Sequence, residues 1–454
     1  MNLSGTTADN VIRLKSWGRV AFCFIRRKGM KDRKVAIETS CVQGGYSPKS
    51  GEPRQIPIVQ STTFKYATSE DMGKLFDLEA SGYFYSRLQN PTCDTVAARI
   101  CELEGGSAAM LTSSGQAANF FAVFNIASAG DHVISSSAIY GGSYNLFAVT
   151  MKRMGVSFTF ISPDSTEEEI NAAFRPNTKA VFGETIANPA LTVLDIERFA
   201  NIAHAHNVPL IVDNTFATPV LCRPIEFGAD IVIHSTSKYM DGHAVQVGGV
   251  IVDSGKFDWA CGNFPSLTEP DESYHGLRYV ETYGKLAYIL KARMQLMRDF
   301  GVYPAAHSAF LLNMGLETLA VRMKQYCENA LTVAKYLEAH DKVISVKYPG
   351  LEGNEDYALA QKYLKGCSGV ISFRIKGGKE AAIKFMNALS MASNEVHVAD
   401  IHTCVLHPAS ETHRQLTDEQ LAEAGVATDL IRLSVGIENV EDLIADLQQA
   451  LDRI

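Results

Sequence analysis

Apolar and polar positions along this chain switch between two spacings. Between about residues 90 and 255, short β-rich apolar runs bounded by polar turns alternate with stretches of helical spacing. His132–Ser135, Phe158–Ile161, Lys179–Gly183, Pro209–Val212 and Asp230–His234 read as strands. Gln116–Ser128 reads as a helix, and Ile196–His206 sets Ile196, Phe199, Ala200 and Ala203 at helical spacing. Strands separated by helices predict a mostly parallel sheet, with any ligand at the carboxyl ends of its strands. Residues 256–310, which contain Pro265, Pro270 and Pro304, are expected to be irregular. A helix over Leu316–His340 follows. Then come strands Val343–Tyr348 and Val370–Ile375, helix Glu380–Leu389, strand Ile431–Val435 and helix Val440–Leu451. That order predicts a second, smaller α/β domain at the C-terminus.

Composition narrows the class. At 454 residues the chain calls for two or three domains, and 46% hydrophobic with 20% charged residues is the balance of a soluble globular protein. No apolar run reaches the ~18 residues of a membrane span. Residues 1–34 hold nine Lys/Arg and two Asp, while the remainder carries a net charge of -15. So acidic a body disfavours a nucleic-acid partner. The basic start reads as a transit peptide, a disordered arm, or a misread start with Met30 as the initiator. The last is preferred, because a hydrophilic run leads from Met30 into the first recognisable motifs and serine is scarce. Nine single cysteines without a CxxC argue against a disulfide framework or zinc ribbon and point to a reducing compartment.

The chemistry gathers at strand ends. Asp213 closes the run Pro209–Val212, where its carboxylate can enter a ligand crevice or merely cap a turn. Ser235-Thr236-Ser237-Lys238 follows Asp230–His234. In an extended segment Ser235 and Ser237 share a face and can hold a phosphate, leaving Lys238 to reach a ring; the segment is otherwise an ordinary polar loop. Pyridoxal phosphate needs a lysine for its Schiff base and an acid beside its pyridine nitrogen. It also needs anion ligands, which Gly115 and Gln116 at a helix start can supply through backbone N–H groups. Tyr140 can stack on a flat ring or pack into the core. A nicotinamide fingerprint and an HExxH zinc motif are both absent, and no metal is expected.

Taken together, these residues resemble the Cys/Met-metabolism family of pyridoxal-phosphate enzymes. The resemblance runs from about Glu38 to the C-terminus. Its motifs occur in order: Tyr85-Ser86-Arg87, Ser113 to Gln116, Tyr140-Gly141-Gly142, Glu184-Thr185 through Asn188-Pro189, Asp213-Asn214-Thr215, Ser235 to Lys238, His407 to Ser410, and Arg432 to Gly436. The stretch Tyr140–Phe147 is most similar to the sulfhydrylases of that family. Where those enzymes commonly read Asn-Val-Gly-Asp-Ala-Lys, this chain reads His397-Val398-Ala399-Asp400-Ile401-His402.

The resemblance implies an aspartate-aminotransferase-like α/β fold, fold type I, with a mostly parallel seven-stranded sheet and a smaller C-terminal α/β domain. It divides the chain into the basic extension 1–35, an arm over 36–90 that reaches a neighbouring subunit, a large cofactor domain over 91–295 and a C-terminal domain over 296–454. It implies a cytoplasmic homotetramer, a dimer of dimers with shared active sites. Lys238 would tether the cofactor and move protons, with Asp213 on the ring nitrogen and Tyr140 on the ring face. Gly115, Gln116, Ser235 and Ser237 would hold the phosphate, helped by Tyr85 and Arg87 from the neighbouring subunit. Arg432, Asn188 and the main chain at His397 would bind the substrate. The implied activity is γ-replacement on O-acetyl-L-homoserine by sulfide or a thiol; the alternatives are methionine γ-lyase, cystathionine γ-lyase or cystathionine γ-synthase chemistry with the same residues.

Overall fold

The computed structural model describes residues 35–77, 79–411 and 427–454. The expectations for residues 1–34, including a start at Met30, lie outside them. Seven strands form the larger sheet: β1 (Ala108–Thr112), β2 (His132–Ser136), β3 (Ser157–Ile161), β4 (Thr178–Glu184), β5 (Leu210–Asp213), β6 (Ile231–Ser235) and β7 (Gly249–Asp253). Their order is β1-β7-β6-β5-β4-β2-β3. The five strands expected from the apolar pattern are the contiguous parallel block β6 to β3. β7 runs antiparallel to both its neighbours. β1 escapes sequence reading because Ala-Ala-Met-Leu-Thr is built mostly of helix-favouring residues and becomes a strand only through its pairing with β7.

Alternation sends the sheet's side chains into two cores. Val232, Val212 and Val252 join one buried cluster, whereas Ile231, Ile233, Ile211 and Ile251 join the other. A parallel sheet must be covered on both faces, which is why its strands read as continuous apolar runs rather than alternating ones. Two helices pack against β1. Helix α1 (Pro91–Glu104) starts on proline after the Asn90 cap and ends at Gly105 in the left-handed region. Helix α2 (Gly115–Phe124) follows directly from β1 and is capped by Ser114, whose side chain accepts from Ala117 N–H.

The smaller sheet has the order β10-β11-β12-β9-β8. Its strands are β8 (Val343–Lys347), β9 (Val370–Ile375), β10 (Ser393–Asn394), β11 (Cys404–Leu406) and β12 (Leu430–Ser434). Helices α3 (Leu319–Ala339), α4 (Gly378–Ala388) and α5 (Val440–Leu451) cover it with Val333, Leu337, Phe385, Leu443 and Leu447. Helix α3 serves both bodies: Leu319, Met323 and Tyr326 pack in the larger body's core, and Ala330 to Leu337 in the smaller one. The expected helix Leu316–His340 is in fact broken at Thr318, which separates α3 from a preceding helix Ala306–Glu317. The 256–310 stretch expected to be irregular contains several short helices; Pro265 opens one of them at its first residue, where proline is compatible with a helix. Among the described residues no helix is long and apolar enough to cross a membrane.

Candidate active site

The sheet order lays out the site. Reading across the carboxyl ends of β2, β4, β5 and β6, the chain presents Tyr140, Glu184, Asp213 and the segment Ser235–Lys238. Tyr140, Glu184, Asp213, Ser235, Ser237 and Lys238 line one cavity of about 600 Å³, together with Gly115, Gln116, Asn188, His397 and Arg432. That size is ordinary for a cofactor and a small substrate.

One end of the cavity is made for an anion. Gly115 opens α2 with its N–H and that of Gln116 ahead of the capped Ala117. A Cβ at Gly115 would lie 2.6 Å from the Cβ of Ser235, so only glycine lets the helix start against the end of β6. The contact brings two unpaired N–H groups and the helix dipole beside the Ser235 hydroxyl. Ser237 also lines the cavity, where its Oγ accepts from Gly248 N–H at 3.0 Å. The Gln116 side chain does more than its backbone promised. Its Nε2 donates to the Gly142 carbonyl at 2.9 Å, tying α2 to the Tyr140 loop.

The middle and far side carry the ionisable groups. Asp213 Oδ1 accepts from the Thr215 N–H at 3.0 Å and from the Thr215 hydroxyl at 2.5 Å. Burial still pushes its carboxyl above the ordinary range, and those two bonds oppose the rise. Thr215 in turn accepts from Ser235 N–H at 2.8 Å, so one hydroxyl couples the ends of β5 and β6. Burial, then the Arg432 charge, lowers Lys238 to about 8. Its Nζ lies 3.2 Å from Nδ1 of His397, which burial, then the Lys238 charge, holds at about 4 and therefore neutral at physiological pH. A half-buried amine with this pKa is available as nucleophile and base near neutrality.

Arg432 enters from β12 of the smaller body, 6% exposed. Its guanidinium donates to Asn188 Oδ1 at 3.3 Å and to the carbonyls of Val396 and His397 at 3.3 and 3.1 Å. Its Nε is buried without a hydrogen-bond partner, and no ion pair engages it among the described residues. The His397 carbonyl accepts from Arg432 and aims that side chain.

Tyr85 and Arg87 are not brought to this cavity within one chain. They line a separate hollow with Ser86, Asn90 and Tyr303. There the Arg87 guanidinium lies 5.2 Å from the Tyr85 ring centroid and donates to the Arg298 carbonyl. Sequence reasoning assigned no role to Thr215 or Glu184. Both had a signal, since each is a polar residue at the end of an apolar strand beside an expected site residue.

The donor set suits pyridoxal phosphate. N–H groups and hydroxyls at one end match a phosphate, a buried carboxyl at strand β5 matches a protonated ring nitrogen, and an amine of lowered pKa matches the aldehyde. A guanidinium that forms no ion pair among the described residues suits a substrate carboxylate. A model of the Cys/Met metabolism PLP-dependent enzymes matches residues 38–452 of this chain. The homocysteine synthase of Schizosaccharomyces pombe is 48% identical over 92% of this chain and 98% of its own length. The O-acetyl-L-homoserine sulfhydrylase of Leptospira meyeri is 41% identical over 93% and 98%. A crystal structure from Campylobacter jejuni, described as an O-acetylhomoserine (thiol)-lyase with a pyridoxyl-lysine phosphate, superposes with a TM-score of 0.88. It shares 36% identity and covers 92% of this chain and 100% of its own. The fold class implied by the motifs is the fold of this relative.

Proposed function

Because this chain belongs to the Cys/Met metabolism PLP-dependent enzymes, we propose that it replaces the acetate of O-acetyl-L-homoserine with sulfide or a thiol, giving L-homocysteine or a homologue. One observation carries the reading: a single cavity unites the Lys238 amine, the Asp213 carboxyl and the Arg432 guanidinium. The choice of substrate within the family follows the two named relatives, a homocysteine synthase and an O-acetyl-L-homoserine sulfhydrylase.

Bound pyridoxal phosphate supplies an electron sink for negative charge at the substrate's α-carbon. The rest is the work of this chain. Gly115, Gln116, Ser235 and Ser237 would hold the phosphate, Tyr140 and Asn188 would hold the ring, and Asp213 would keep a proton on the ring nitrogen. Arg432 binds the α-carboxylate, with Asn188 and the segment at His397 fixing its angle. Lys238 would tether the cofactor, take a proton from Cα and then one from Cβ as acetate leaves, and see a proton returned to each carbon once the sulfur has added. The Cγ–O bond to acetate breaks, and a Cγ–S bond to hydrosulfide or thiolate replaces it.

The deciding assay incubates the enzyme with O-acetylhomoserine, O-succinylhomoserine, cystathionine or methionine, each with and without sulfide. Homocysteine and acetate are expected from O-acetylhomoserine with sulfide. Release of 2-oxobutanoate from methionine or cystathionine as the main activity overturns the assignment in favour of a γ-lyase. A cytoplasmic location is supported by the free state of the eight described cysteines.

We also read the enzyme as a dimer of dimers in which residues 36–90 reach a neighbouring subunit and carry Tyr85 and Arg87 to its phosphate. The support is that neither residue meets its own chain's cavity, while Arg87 offers a planar two-pronged donor suited to phosphate. Arg87→Ala is then expected to lose cofactor faster on dilution than the parent enzyme, measured by gel filtration at falling protein concentration. Equal retention at every concentration overturns the shared-site reading.

A further inference from the structure

Glu184 is the last residue of β4 and pairs in register with Asp213, the last residue of β5. Both carboxyls line the same cavity, and Glu184 is only 6% exposed. Like charges at neighbouring strand ends repel, so a second acid here needs a reason. The hydrogen bonds supply one. Oε1 accepts from the backbone N–H of Tyr140 at 2.7 Å, and Oε2 accepts from the backbone N–H of Asn188 at 3.2 Å. One carboxylate therefore ties the residue on the ring face to the residue beside the ring oxygen. The Tyr140 side chain itself is 48% exposed. Its loop is also held by the Gln116 amide on the Gly142 carbonyl and by the Asn119 amide on Ser143 Oγ at 2.9 Å.

We propose that Glu184 is a positioning residue that sets the spacing between Tyr140 and Asn188, and so the seat of the cofactor ring above Asp213. The inference rests on the reading that this cavity holds pyridoxal phosphate. The carboxylate is the group that suits the task, because it offers two acceptor oxygens and no donor to two converging N–H groups. Burial and then the Asp213 charge push the Glu184 carboxyl well above its ordinary range, and the two N–H bonds work against that rise.

The test compares the holoenzyme with Glu184→Gln, an isostere with one acceptor oxygen and an NH₂ that faces the second N–H. Cofactor affinity is expected to fall about ten- to hundredfold, the worth of one charge-assisted hydrogen bond. The visible circular dichroism of the bound cofactor is expected to change, and kcat to fall with little change in KM. Leu447→Ala, which opens a hole in the smaller body's core, serves as a destabilised control; it is expected to lower Tm without altering the dichroism. Unchanged cofactor affinity and dichroism in Glu184→Gln overturn the proposal, and so does a change in Tm alone. Failure of the underlying site reading shows separately: borohydride reduction of the parent enzyme would then fix the cofactor on a lysine other than Lys238.

Discussion

Lys238→Ala is expected to fold, to take up pyridoxal phosphate without a covalent bond, and to lose turnover by on the order of ten-thousand-fold. The size follows from two losses at one atom. Nζ is the amine that would tether the cofactor, and it is the base that would move the proton from Cα. A positioned acid–base group alone is worth up to about 10⁴. No neighbour can take over. His397 is the side chain within hydrogen-bond distance, and burial and the Lys238 charge hold it at about 4. Noncovalent uptake should survive because the anion end is built from Gly115, Ser235 and Ser237, none of which depends on the lysine. The check is a pre-steady-state and steady-state comparison on holoenzyme of verified cofactor content. Turnover within tenfold of the parent would remove Lys238 from the chemistry.

Arg432 should show a rarer pattern, in which function and stability move in opposite directions. If Arg432 binds the substrate's carboxylate as proposed, removing it leaves that group unpaired in a buried site, at a cost of about 2–5 kcal/mol, or roughly thirtyfold to several thousandfold in kcat/KM. In the protein without substrate, however, Arg432 is a desolvated cation that forms no ion pair among the described residues, and its buried Nε has no hydrogen-bond partner there. Such a group is a burden on the fold. Arg432→Met should therefore match or exceed the parent's Tm while losing most of kcat/KM. Arg432→Lys keeps charge without the planar fork and should chiefly raise KM. A normal KM in both variants, or a collapse of Tm in Arg432→Met, would contradict this account.

Strand ends explain how far the chain could be read. The block β2 to β6 is legible because each strand is a short, doubly covered apolar run, and Asp213 and Lys238 stand where those runs stop. Ser235 and Gly115 are legible as types, yet their contact is not: it depends on β6 and the start of α2 meeting, which no local pattern encodes. The hold of Val396 and His397 on Arg432 is likewise tertiary. So is the break at Thr318, since periodicity runs on through it. The 397–402 segment, which departs from the sulfhydrylase pattern, brings Ala399 at φ +69, a conformation rarely adopted by alanine and held here by its N–H on Ser434 Oγ at 2.7 Å.

The pairing of β1 with β7 sets the order of events during synthesis. Ala108 lies opposite Asp253, and β1, at the sheet edge, has no other strand beside it. A ribosome delivers β1 and α2 long before β7 emerges, and chain closure over so wide a separation is slow. Until it happens, the start of α2 has no Ser235 to meet. A nascent chain that stops short of β7 would thus carry β1 without its partner strand, with the start of α2 not yet held against Ser235.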